Sequence, residues 1–401
     1  MTSIAERPRV AIVTLWYWPS HFGCHVDDIC DELAAHGVDP VVVTVDAALL
    51  RRPYFDPVRA TFVRNRPPGP WPVMRIPVED LIERGVANPL LVLDSAAVAA
   101  ALGDTLENVP LLYVFETLVG ALGAVRPGPG VIYYAGDFIA RARALDRMEP
   151  EATVDAFLSH LYEAVSEPSD GVRPRLRHVI AILSQTRSLS ATLAEQLATP
   201  VTHVRRPFTP VAVRRAQPVD VRLRLGLPDG AHVLLYAGRL SKNATALVTV
   251  LERLDTPAHL LVVGGRRGEL GPIPPQLVDR VHVLPFIPRA ELFGLMKTAT
   301  LLVYPGTVDG WPKVIAEAQV AGLPVMAFEA PASAAHEVVD HDVTGVLVAA
   351  NELTAAARAI DRLLAAPGER ARLARNAQAC IDDDTSTLAS SFLAAVDGAM
   401  G

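Results

Sequence analysis

Cysteine is scarce: Cys24, Cys30 and Cys380 are the whole supply among 401 residues. An odd count with no metal-ligand spacing to histidine excludes a disulfide-stapled secreted scaffold and a zinc module, and fits a reducing compartment. Charge is sparse and mixed. Charged residues make up 20% of the chain and the formal net charge is −7, which excludes nucleic-acid binding by bulk positive charge. A small phosphorylated ligand needs only a local cationic site. No uninterrupted apolar run is long enough to span a bilayer. The longest apolar stretch, Leu90 to Leu102, is broken by Asp94 and Ser95 and reads as a buried helix. Met1 to Arg9 holds no apolar leader core. No Gly-x-Gly-x-x-Gly follows the first strand, which argues against a Rossmann oxidoreductase. These absences predict a cytoplasmic protein with no nucleic-acid partner and no transmembrane segment, peripheral membrane contact being allowed.

What is present is apolar and regularly punctuated. Hydrophobic residues make up 50%, and the mean hydropathy of +0.27 provides for large cores. The length favours two domains. Short apolar runs alternate with helical stretches: Val10 to Leu15, Pro40 to Val45, Leu111 to Phe115, Val131 to Tyr134 and Val179 to Ser184, then Val233 to Tyr236, His259 to Val263, Val281 to Leu284 and Leu301 to Tyr304. Strand, helix, strand in series predicts doubly wound parallel sheets, with ligands at the carboxyl ends of the strands. Pro207, Pro210 and Pro218 mark a hinge. The expected division is 1–207, 208–380 and a closing helix over 381–401 that crosses back to the first domain. Residues 51–77, rich in proline, arginine and aromatics, read first as a long surface loop and second as an acceptor-binding or partner-binding insertion.

The most informative stretch follows Tyr304. A loop with Gly306 and Gly310 leads through Trp311 and Pro312 into a helical run from Lys313 to Val320, and Gly322 stands where a left-handed cap is wanted. An open helix N-terminus suits phosphate or sugar oxygens. Asp309 and Glu317 flank it, and carboxylates accept hydrogen bonds from vicinal hydroxyls. The bland alternative, a turn-forming Asp309 and a solvated Glu317, carries comparable weight on spacing alone. Earlier in this half, Ala237-Gly238-Arg239-Leu240-Ser241-Lys242 puts an arginine fork and a lysine at a strand's end, a combination that suits a diphosphate.

Glu317-Ala318 followed by Gly322-Leu323-Pro324-Val325, together with Gly238-Arg239-Leu240, resembles the nucleotide-sugar site of retaining glycosyltransferases of family 4, whose fold is GT-B. The opening Pro19, Gly23, His25 and Val26 resembles the same family's first loop. The resemblance covers most of 225–350 and roughly 9–45. It implies two Rossmann-like domains facing across a cleft and sugar transfer from a nucleotide-sugar donor to a hydroxyl acceptor, with retention and with no metal or other cofactor. It implies donor contacts from Gly23, Arg239, Lys242, Phe286, Gly310, Trp311, Pro312, Lys313 and Glu317. Glu317 would hold the ribose, and the turn at Phe286 the nucleobase. Asp309 would orient the donor sugar, standing where the family has Glu. The strand-end acids Glu116 and Asp137 are further catalytic candidates, with a helix cap as the competing role for Asp137. His21 and Trp18 are candidates for the acceptor, and His25 for sugar contact. The family's sugar-binding histidine has no counterpart in the sequence. Two alternatives keep the nucleotide site: a GT-B epimerase or pseudo-glycosyltransferase, and a non-catalytic nucleotide-sugar-binding subunit.

Overall fold

The computed structural model describes residues 8–14, 23–45, 69–76, 106, 108–114, 128–134, 179–187, 190–191, 194, 199–208, 210–240, 242–383 and 387–400. The chain divides into two compact units, Met1–Phe208 with Ser386–Gly401, and Thr209–Thr385.

The first unit is built on a parallel sheet of β1 (Arg9–Val13), β2 (Asp39–Val45), β3 (Val73–Ile76), β4 (Leu111–Val114), β5 (Gly130–Tyr134), β6 (Val179–Ser184) and β7 (Val201–His203), in the order β3-β2-β1-β4-β5-β6-β7. Strands such as Leu111–Val114 are buried along their whole length, as parallel strands covered on both faces must be. Helix α1 (Gly23–Ala35) packs Val26, Ile29, Cys30 and Leu33 onto this sheet. Burial pushes the Cys30 thiol well up, with Asp27 and Asp31 adding to the effect. It behaves as a small core hydrophobe.

β3 corrects one expectation. Residues 51–77 do not end as loop: Val73–Ile76 pairs in parallel with Val42–Val45 and forms the sheet edge. Four residues beside Pro72 and Pro77 are too short to show a period, and the edge position tolerates the prolines. Residues 51–68 and 77 of that stretch, and all of Leu90 to Leu102, lie outside the described residues.

The second unit holds a parallel sheet of β8 (His232–Ala237), β9 (Ala258–Val263), β10 (Val281–Leu284), β11 (Leu301–Tyr304), β13 (Val325–Glu329) and β15 (Val346–Ala349), ordered β10-β9-β8-β11-β13-β15. The short strands β12 (Val308–Asp309) and β14 (Ala332–Ser333) pair with each other. The order reverses between β8 and β11, and the crevice at such a switch point is where ligands bind in this architecture. The proline-marked stretch after Phe208 is not a bare hinge. Pro210 opens helix α2 (Pro210–Arg215), as a residue with preset φ can. Asp220 then caps α3 (Val221–Leu225), accepting from the amides of Arg222 at 2.9 Å and Leu223 at 3.2 Å. Helices α4 (Ala246–Glu252), α5 (Arg289–Met296), α6 (Lys313–Val320), α7 (Leu353–Ala365) and α8 (Pro367–Asp383) complete the unit. Asp382 and Asp383 are the last residues of α8.

Helix α9 (Leu388–Met400) belongs to the first unit, with Leu388, Ala389, Phe392 and Val396 in the core it shares with α1. Glu32 on α1 accepts the Ala389 amide at 2.9 Å. Among the described residues no helix is long and apolar enough to cross a membrane.

Candidate active site

The side chains that carry chemistry in the second unit gather at the carboxyl ends of β8 to β11. β8 ends at Ala237, and the chain turns through Gly238, Arg239 and Lys242. Tyr236 is buried beneath this turn and donates its hydroxyl to the Arg239 carbonyl at 2.6 Å. Burial raises the Tyr236 phenol above its ordinary range, with the Asp309 carboxylate adding and Arg239 opposing. It therefore stays a protonated donor. Gly264, at the exit of β9, has φ +118°. A Cβ there would stand 2.6 Å from the Gly238 carbonyl oxygen and 3.3 Å from Phe286 Cζ. Only glycine lets the three strand exits approach this closely.

The loop after β11 meets the turn after β8 at one carboxylate. Asp309, on β12, receives the Lys242 ammonium and the Tyr304 hydroxyl. Asn243, with φ +62°, adds a second tie by donating to the Pro305 carbonyl at 3.2 Å. An Asx side chain tolerates that left-handed conformation better than most. Asp309 is thus a junction, held by a cation and a phenol, and not a bare turn former.

Helix α6 follows. Trp311 is buried at its entrance, and Pro312 precedes its first residue. Gly322, at φ +77°, closes the far end while the Leu323 amide reaches back to the Ala318 carbonyl at 2.9 Å. Glu317 is only 5% exposed, so it is not a solvated helix residue. It accepts from Arg289 Nη2 at 3.1 Å and has Lys313 Nζ at 4.0 Å. Arg289 opens α5, and its guanidinium lies 5.3 Å from the centre of the Phe293 ring. Phe286, on the turn before α5, is half exposed.

The structure therefore brings Arg239, Lys242, Phe286, Asp309, Gly310, Trp311, Pro312, Lys313 and Glu317 to one end of one sheet. Gly23 lies in the first unit and is itself the first residue of α1. His25 is paired with Arg206, whose Nη2 is 2.8 Å from Nδ1. Trp18, His21, Glu116 and Asp137 lie outside the described residues. Sequence reasoning missed Tyr236, Tyr304, Asn243 and Arg289. The two tyrosines had one available signal, a hydroxyl-bearing residue closing an otherwise apolar strand just before a polar loop.

Among the described residues no group of three or more His, Cys, Asp or Glu side chains could hold a metal ion. Each site carboxylate is instead held by cationic side chains. Chemically the arrangement offers an arginine fork, two lysines and a helix N-terminus for an anion. It also offers two fixed carboxylates for hydroxyls.

Residues 221–379 match the family model described as glycosyl transferases group 1. The D-inositol 3-phosphate glycosyltransferase of Xylanimonas cellulosilytica is 38% identical over 169 residues, a match spanning 40% of each chain. One from Catenulispora acidiphila is 28% identical over 373 residues, covering 86% of this chain and 82% of that one. Among solved structures, sucrose-phosphate synthase from Thermosynechococcus elongatus aligns with a TM-score of 0.65 at 18% identity, over 97% of both chains. HepE of Anabaena, solved in complex with UDP-glucose, aligns with a TM-score of 0.63 at 17% identity, over 98% of this chain and 99% of that one. Residues 221–379 thus match the glycosyl transferases group 1 family, and along nearly its whole length the chain has the GT-B fold, with two parallel-sheet Rossmann-like units.

Proposed function

We propose that the chain moves a sugar from a nucleotide-sugar donor to a hydroxyl acceptor, with retention of anomeric configuration and without a metal, in the cytoplasm. The observation that carries this is the meeting of the Arg239–Lys242 turn with the acid-flanked helix α6 at Asp309. The bond from the anomeric carbon to the diphosphate oxygen breaks, and the diphosphate leaves with the electron pair. A bond from the acceptor oxygen to the same carbon forms, and the acceptor's proton passes to a base. The step is eased by charge stabilisation on the leaving diphosphate. Arg239, Lys242 and the amides entering α6 are the donors for it. Glu317 takes the ribose hydroxyls, with Arg289 fixing its carboxylate. Asp309, positioned by Tyr304 and Lys242, orients the donor sugar.

A relative named for D-inositol 3-phosphate supports a cyclitol phosphate as the first acceptor to test. A structural neighbour holding UDP-glucose supports a uridine diphosphate sugar as the first donor. The test is turnover of UDP-sugars with an inositol phosphate, before and after dialysis against EDTA, with the anomeric coupling of the product read by proton NMR. Retention and unchanged turnover after EDTA are expected. An inverted product, or activity lost to EDTA and restored by a divalent cation, contradicts the proposal.

A further inference from the structure

The opposite end of the second sheet carries a cavity that the transfer reaction does not use. Its volume is about 470 Å³, within the range of small-ligand sites. It opens at the amino-terminal ends of β8, β11 and β13, where His232, Thr300 and Pro324 line it, and is closed by the first turns of α8 with Arg370 and Ala371. The candidate active site lies at the carboxyl ends of the same strands, so the two are separated by the length of the sheet.

The lining contains three ionisable side chains, Arg222, His232 and Arg370, and no carboxylate. Both guanidinium groups are held in place by neutral acceptors. Arg222 donates to the carbonyls of Ala231 at 2.8 Å and Thr298 at 2.9 Å. Arg370 donates Nη1 to the Leu364 carbonyl at 2.8 Å and to that of Leu363. Neither forms an ion pair among the described residues. Burial lowers the Arg370 guanidinium from its ordinary value. Burial, then Arg370, then Arg222 lower His232. Two fixed cations that face a cavity without a countercharge leave a standing positive potential there. Partly desolvated charges of one sign are costly unless an opposite charge joins them.

We propose that this cavity binds a phosphoryl dianion, as free phosphate or as the phosphate of a small monoester, and that occupancy stabilises the second unit independently of the donor. Arginine's planar fork matches phosphate oxygens. Thr300 lines the cavity too; its hydroxyl oxygen accepts from the Val233 amide at 3.0 Å and from Arg222 Nη2 at 3.4 Å, which leaves its proton for a phosphate oxygen. The charged groups that face His232 are Arg222 from α3 and Arg370 from α8.

The experiment is calorimetric titration of the full chain with inorganic phosphate at constant ionic strength, with the active site saturated by UDP, repeated with glycerol phosphate. Ala371→Glu puts a carboxylate at the rim on an exposed helical position, so it tests the charge without disturbing the core. Ala371→Glu and Arg370→Gln are expected to weaken binding about tenfold or more. A monoester that binds more tightly than phosphate identifies a metabolite as the occupant; equal binding identifies free phosphate. Phosphate affinity unchanged in Ala371→Glu, binding abolished by UDP, or no binding to the wild type up to about 10 mM overturns the proposal.

Discussion

Glu317 is buried beside cations on a helix whose residues from Ile315 to Val320 are all buried, and its environment decides its role. Its carboxylate is fixed by Arg289 before any hydroxyl arrives, so in the proposed reaction the ribose meets a carboxylate that is already ordered. Glu317→Gln keeps the shape and removes the charge. A hydrogen bond to a charged group contributes about 1.5–3 kcal/mol. The expected result is therefore a donor KM raised roughly 10–100-fold with kcat changed far less, read by steady-state kinetics on an identified donor. Arg289→Lys should recover part of what Arg289→Ala loses, because a cation within reach still orients the carboxylate. Asp309, Glu317 and Arg239 were legible in the sequence because each stands at a fixed offset from a glycine or proline that punctuates a strand-loop-helix. Arg289 was not, since a first-turn arginine looks like any helix-surface residue until the neighbouring helix places Glu317 opposite it.

At the scale of elements, the site depends on how closely three strands can exit side by side. Gly264 is the tightest point, with positive φ and the Gly238 carbonyl where a side chain would begin. Gly264→Ala should destabilise the second unit by about 2–3 kcal/mol, combining backbone strain with a displaced neighbour. It should weaken UDP binding as well, because the displaced neighbour is the Arg239 turn. Urea unfolding and calorimetry read the two effects separately. The strands themselves were readable as apolar runs, since parallel strands covered on both faces must be apolar throughout. β3 was not, because Val73–Ile76 is short and its pairing with β2 is decided by the sheet edge and not by its own pattern. Helix α2 was hidden for a related reason. Pro210 signals a break when read alone and a helix start only when the following Val213 is seen to be buried.

For the molecule as a whole, the second unit carries an acid-sensitive edge. His259 on β9 and His282 on β10 are neighbours, Nδ1 to Nε2 at 3.2 Å. Burial lowers both, helped by Arg280 for His259 and by His259 and Arg267 for His282; Asp279 opposes weakly in each case. The hydrogen bond between them needs at least one neutral ring. A histidine held below its unfolded pKa binds fewer protons folded than unfolded. Its contribution is therefore complete above about pH 6.5 and is lost as pH falls from there through the folded values. Urea denaturation should show the second unit losing stability between about pH 7 and pH 5, and His259→Gln with His282→Gln should reduce that slope. The central claim is that one nucleoside diphosphate is held by the Arg239 turn and helix α6 together. Calorimetric titration of the full chain with UDP tests it most directly, comparing wild type with Arg239→Ala and Glu317→Gln. The account predicts binding in the wild type and a loss of about tenfold or more in each variant. UDP affinity left unchanged by both substitutions would contradict it.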